Sequence, residues 1–258
     1  MIRKTIASCA AACAAATSAH AESIEVSTTV GFESRYIFRG VQFAETSFQP
    51  AINLSYGNFY GGIWANLPVG DDDFVVTPGG EELDLFAGYG FDLNEFIALD
   101  VGVTFYTFPN AASGFLDLFS EGAAEAMNPD PGTNTVEAYA GASFNAPLSP
   151  SLYVYRDFHF NTVTLQGDVS HSIPLAEKTS FDLSGSLGYV IDDDDGADYL
   201  YGAASADVAY AISDHGSIAA GVRYGGSDID GGAFIDDSIA GTTKSSGFWW
   251  GVSFSADF

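Results

Sequence analysis

Gly247-Phe248-Trp249-Trp250-Gly251-Val252-Ser253-Phe254-Ser255-Ala256-Asp257-Phe258 is the stretch that decides the fold. Phe248, Trp250, Val252, Phe254, Ala256 and Phe258 fall on one face of an extended chain. Gly247, Trp249, Gly251, Ser253, Ser255 and Asp257 fall on the other. A period of two marks a strand with unlike faces. The stretch is long for a strand of a soluble sandwich, where about five or six residues are usual. It is long enough to cross a bilayer when tilted, which takes about nine to eleven residues.

The same alternation recurs along the chain. Ile97, Leu99, Val101, Val103 and Phe105 alternate with Ala98, Asp100, Gly102, Thr104 and Tyr106. Phe181, Leu183, Leu187, Tyr189 and Ile191 alternate with Asp182, Ser184, Ser186 and Gly188. Twelve such segments are predicted, at 24–38, 48–57, 59–67, 82–91, 96–107, 133–145, 151–158, 161–173, 179–191, 198–211, 216–226 and 246–258. An even number suits a closed antiparallel barrel with both termini on one side. The fold class expected is therefore all-β, a closed antiparallel transmembrane β-barrel of about 12 strands, rather than a secreted sandwich.

Connection lengths support this. Short turns at 57–58, 92–95, 146–150, 174–178 and 212–215 alternate with longer links at 39–47, 68–81, 108–132, 192–197 and 227–245, and only the link near 158–161 breaks the pattern. Short periplasmic turns and long outer loops are the outer-membrane arrangement. The windows 40–47, 68–82, 108–132, 191–198 and 226–245 hold 19 of the 34 carboxylates, and their only basic residue is Lys244.

The chain starts with Arg3 and Lys4, an Ala-rich apolar run and Ala19-His20-Ala21. This reads as a signal peptide over 1–21, with the barrel domain at 22–258. Both cysteines, Cys9 and Cys13, fall in that segment, so the mature chain carries no disulfide or Cys-based site. Removing Arg3 and Lys4 leaves six basic residues against 34 acidic ones. Such a chain repels nucleic acid, yet hydrophobic residues make up 47% of the whole 258-residue sequence. The localisation expected is the bacterial outer membrane, with both termini periplasmic.

Ser34-Arg35-Tyr36-Ile37-Phe38-Arg39-Gly40 is followed by Gln49-Pro50-Ala51 and Phe59-Tyr60-Gly61-Gly62-Ile63-Trp64-Ala65. Glu82-Leu83-Asp84-Leu85-Phe86-Ala87-Gly88-Tyr89 and Thr104-Phe105-Tyr106-Thr107-Phe108-Pro109 come next. This order resembles the TorF family of porin-like proteobacterial outer-membrane β-barrels. The resemblance is detailed over roughly residues 30–110. After Gly40, where the family shows a Ser-Gln-rich stretch, this chain reads Val41-Gln42-Phe43-Ala44. The resemblance implies a porin-like barrel and supplies no substrate. The terminal Phe258 looks like the signal read by outer-membrane assembly machinery.

With apolar faces outward, parity predicts lumen residues. On the first strand these are Glu33, Arg35 and Arg39, opposite Tyr36 and Phe38; elsewhere they are Asp84, Asp100, Glu137, Asp168, Asp182, Asp207 and Arg223. A lipid-facing Arg or Lys costs about 2–4 kcal/mol at mid-membrane, which enforces the assignment. Closure puts Arg35, Arg39 and Arg223 on one wall facing carboxylates, as a constriction. Phe115, Leu116, Leu118 and Phe119 give loop 108–132 three readings: a constriction folded into the barrel mouth, a cover over the outer rim, or a loop extending into solvent.

The acidic runs at 71–73 and 192–195 lack calcium-loop spacing and read as solvated loops. Catalysis has little support: His171, between Ser170 and Ser172, points to the opposite face from both, and His159 and His215 complete no metal spacing. The function expected is passive diffusion of small hydrophilic solutes or ions, without cofactor. The alternative is a filled, surface-interacting barrel with acidic loops. The partners expected are outer-membrane lipid and lipopolysaccharide, the assembly machinery, the solutes, and a second copy of the chain if the barrels associate.

Overall fold

The computed structural model describes residues 23–69, 81–109, 134–194, 196–230, 232–235 and 242–258. The strands in chain order are β1 (Glu25–Glu33), β2 (Tyr36–Phe38), β3 (Val41–Ala44), β4 (Ser47–Tyr56), β5 (Phe59–Pro68), β6 (Glu82–Asp92), β7 (Ile97–Thr107), β8 (Thr135–Phe144), β9 (Ser151–Asp157), β10 (Thr162–Ala176), β11 (Thr179–Asp192), β12 (Tyr199–Ala211), β13 (Gly216–Ser227), β14 (Phe234–Ile235), β15 (Thr243–Lys244) and β16 (Ser246–Asp257). Twelve of them close into an antiparallel barrel in the order β1-β16-β13-β12-β11-β10-β9-β8-β7-β6-β5-β4. The seam pairs Thr28 with Ala256 and with Ile52, so β1 is hydrogen-bonded on both edges. Each of the twelve alternating segments overlaps one barrel strand, and β10 runs three residues past its predicted end, to Ala176. No helix of the described residues is long and apolar enough to cross a membrane.

The faces sort as a bilayer requires. Ile52, Leu54, Ile63, Val101, Val103, Leu152, Leu165, Leu187, Val208 and Val222 are all exposed on the outer surface. Glu33, Gln49, Asn66, Glu82, Asp84, Glu137, Asp157, Thr164, Asp207 and Arg223 are buried. A soluble core does the reverse. Apolar surface in water costs about 25 cal/mol per Å², and a soluble monomer seldom exposes a patch beyond a few hundred Å². A belt around a whole barrel is stable only against lipid.

Turns at the end carrying the termini are short. Gly57, at φ 58°, begins the two-residue turn between β4 and β5. The Asn94 side chain accepts the backbone N–H groups of Phe96 and Ile97, closing the turn between β6 and β7. Phe258 is exposed there, and its backbone N–H donates to Val26 O.

The first predicted strand needs correction. It leaves the wall at Glu33, not Phe38. Ser34 ends the ladder: its N–H donates to Trp250 O, while its Oγ accepts the Trp250 N–H. The chain then turns into the lumen as the hairpin β2–β3. Arg39 and Gly40, at φ 46° and 77°, form its two-residue turn. Positive φ at both central positions is the backbone of a type I′ hairpin, which suits the twist of its flanking strands. Tyr36 and Phe38 therefore do not face lipid. Tyr36 is 4% exposed, against Trp64, and Phe38 lies against Tyr106. A second hairpin, β14–β15, folds inward beside it. Ala233 O accepts the Gln42 N–H, and Phe234 meets the inward Trp249.

The predicted signal segment and acidic run 71–73 lie outside the described residues, as does loop 108–132 apart from Phe108 and Pro109.

Candidate functional site

Inward side chains need room, and the wall supplies it with glycine. Tyr60, Tyr139, Tyr153 and Tyr201 each stand across from a glycine on the next strand: Gly88, Gly102, Gly141 and Gly188. A Cβ at Gly102 would stand 2.3 Å from the Tyr139 hydroxyl. The rings thus lie along the wall rather than across the lumen. Their hydroxyls then meet. Tyr60 donates to Asp100 at 2.7 Å and shares a hydrogen bond of 2.7 Å with Tyr139, while Tyr153 donates to the other Asp100 oxygen at 3.2 Å. Asp100 organises this tyrosine group.

The hairpin crosses the lumen. It leaves the wall between β1 and β4, and its tip reaches three distant strands. Arg39 donates to Glu137 on β8 at 2.7 Å, and the two side chains are 12% and 2% exposed. The guanidinium lies 4.7 Å from the Phe38 ring centre and 5.1 Å from that of Tyr155, a cation–π arrangement. Tyr106 donates to the second Glu137 oxygen at 3.1 Å. Burial alone would lower the Arg39 pKa, but the Glu137 carboxylate more than reverses that and raises it. Gly40 touches the other side: a Cβ there would stand 2.6 Å from both Gly226 O on β13 and Tyr201 Cβ on β12. Glycine is needed at Gly40 for its φ and for this approach. On the hairpin's near strand, burial and then the Glu82 and Asp84 carboxylates raise the Tyr36 pKa well above its ordinary value.

A second ionic group lies on the wall. Arg223 on β13 contacts Glu33 at 3.3 Å and Asp207 at 3.1 Å, and all three are buried. Glu33 and Asp207 lie over glycines of β16 and β13, Gly251 and Gly221, in the same way as the tyrosines. On β10, Asp168 accepts Gln166, which in turn accepts Tyr201.

The ten predicted lumen residues divide accordingly. Glu33, Asp207 and Arg223 form one cluster; Arg39 and Glu137 form another; Asp84 lies beside Glu82 and Asp100 among the tyrosines. Asp168 belongs to the Gln166 group, and Asp182 bonds Ser172 and Ser180 near the termini. The predicted arginine wall needs correction. Arg39 crosses to β8 because the chain leaves the wall five residues earlier. Arg35 donates to Gln42 at 3.1 Å at the rim, beside the outward Val222, Phe248 and Trp250. Sequence reasoning missed Tyr36 and Gln42. An Arg-Gly turn between two alternating apolar triplets, 36–38 and 41–43, is the hairpin signal that could have found them.

The described acidic run at 192–194 is tied to the loop: Asp193 pairs with Arg156 and Asp194 accepts the Asn161 amide. The histidines lie apart. His171 shares the outer face of β10 with Val169 and Ile173, His159 stands edge-on to Phe160, and His215 sits in the turn before β13.

An outward apolar belt around a polar, side-chain-lined interior defines a transmembrane β-barrel of the outer-membrane type. The profile of a family described as "Bacterial protein of unknown function (Gcw_chp)" matches residues 14–141. Among solved structures the chain is similar to the "KdgM porin", at 11% identity and TM-score 0.55, over 90% of this chain and 99% of that one. It is similar to "KdgM porin in complex with disordered oligogalacturonate", at 10% identity and TM-score 0.54, over 91% and 99%. It is also similar to a NanC porin structure, at 10% identity and TM-score 0.51, over 90% and 98%. These likenesses establish the fold. No curated protein sequence matches the chain.

Proposed function

We propose that the protein is a passive outer-membrane channel for small hydrophilic solutes or ions, with a preference for cations. The inversion of faces carries the reading: greasy residues surround the barrel and ionisable ones line it. Eight strands leave room mainly for side chains and sixteen leave a channel, so twelve needs a wall that saves space. The tyrosine-over-glycine pairs are such a wall. The charge preference follows from the lining. Glu33, Glu82, Asp84, Asp100, Glu137, Asp168, Asp182 and Asp207 outnumber Arg39 and Arg223, and carboxylate-lined pores favour cations. One similar porin is seen in complex with oligogalacturonate, a polyanion; this acidic lumen opposes such a solute. The TorF resemblance of residues 30–110 supports the porin-like reading.

The termini are assigned to the periplasm because the short turns share their end, and Phe258 to recognition by the assembly machinery. No cofactor is needed, and the separated histidines support a channel rather than a catalyst.

One observation favours a filled, surface-interacting barrel instead: β2–β3 and β14–β15 occupy the lumen at the end away from the termini. Planar-bilayer recording separates the two. Discrete conductance steps are expected, with a reversal potential of cation sign under a KCl gradient. No steps, either from the protein or from a form in which residues 35–45 are replaced by a short turn, would leave the filled barrel standing.

A further inference from the structure

We infer that β2–β3 is a hinged plug, latched by Arg39 to Glu137, and that its displacement opens the lumen. The inference rests on the channel reading and adds a moving part to it. The hairpin is a separate two-stranded sheet, not a member of the barrel ladder. Its ends are defined: the Ser34 N–H binds Trp250 O where the chain leaves the wall, and the Val69 N–H binds Thr46 O where it returns. Between these points, among the described residues, one backbone bond to another element runs from the Gln42 N–H to Ala233 O, on the other inward hairpin. The tip is held to the barrel wall through side chains, chiefly the Arg39–Glu137 pair, with the guanidinium against Tyr155.

The shape of the tip fits a seat. Gly40 meets Gly226 O and Tyr201 Cβ with no space for a side chain, so the closed position is specific. The length fits a plug. The tip reaches β8, β12 and β13 from a root between β1 and β4, which spans the lumen. Packed cores switch between discrete arrangements rather than deforming smoothly, and a short arm seated by one buried ion pair has two such states. The Arg39 side chain is the latch; Glu137, fixed by Tyr106, is the catch.

The test is Glu137→Gln, read in two ways. Val41→Cys, near the tip, places a thiol in a mature chain expected to carry no other. A membrane-impermeant thiol reagent should modify it faster in the Glu137→Gln background, on the order of tenfold, as the loss of a buried charge pair shifts the seated population. Conductance or open probability in planar bilayers should rise with it. A form with residues 35–45 replaced by a short turn should conduct at the fully open level. Heat-modifiable migration on a gel confirms that each variant is folded. Unchanged thiol reactivity in a folded Glu137→Gln form, or conductance equal in all three folded forms, overturns the plug. Faster thiol modification with no conductance from any form sustains the hinged hairpin but removes the channel on which its role depends.

Discussion

Replacing Arg223 by alanine destabilises the folded barrel by about 3–5 kcal/mol, the usual cost of leaving a buried charge unpaired. Arg223 is 5% exposed and serves two carboxylates, Glu33 and Asp207, themselves 5% and 9% exposed. Its loss strands both in a lumen wall where Gly251 and Gly221 hold them flat. Urea unfolding in lipid or detergent, followed by tryptophan emission, measures the loss. The triple variant Glu33→Gln, Asp207→Asn, Arg223→Met should recover most of it, because it removes the stranded charges as well. Equal stability of wild type and Arg223→Ala would mean that the cluster is solvated rather than buried.

Replacing Val103 by arginine costs about 2–4 kcal/mol if it lies near the bilayer midplane. Val103 is 49% exposed on the outer face, midway along β7. Its neighbour Thr104 has opposite parity and faces inward, toward a polar interior. Thr104→Arg should therefore cost clearly less. Folding titrations of both variants into lipid vesicles give the comparison, and the sign of the difference is the prediction. Equal costs would break the assignment of faces.

Much of the barrel was legible because lipid imposes a simple rule. A strand that crosses must turn one parity outward, so alternation over ten or more residues gives the strand and its faces together. Asp100, Glu137 and Asp207 were readable as inward for that reason. Closure was readable from the even count and the alternating link lengths.

The hairpin was hidden by the same rule. Tyr36 and Phe38 continue the parity of Val30 and Phe32, so alternation alone extends the first strand to Phe38. An aromatic side chain buried under an inward hairpin and one facing lipid look identical in period. What separates them is Ser34 binding the Trp250 backbone and the positive φ of Arg39 and Gly40. The partner of Arg39 was also out of reach, since Glu137 is 98 residues away and becomes a neighbour only through an arm that leaves the wall. The tyrosine–glycine pairs required cross-strand register, which local pattern does not contain.

The arrangement of faces, on which both the channel and its plug depend, is tested most directly by two adjacent residues. Trp250 is 50% exposed on the outer surface, and Trp249 is 8% exposed against Phe234 inside. Forms retaining a single tryptophan at one position or the other would be folded into bilayers of brominated lipid. Strong quenching of Trp250 with little quenching of Trp249 is predicted. Equal quenching of the two, or none of either, would contradict the account.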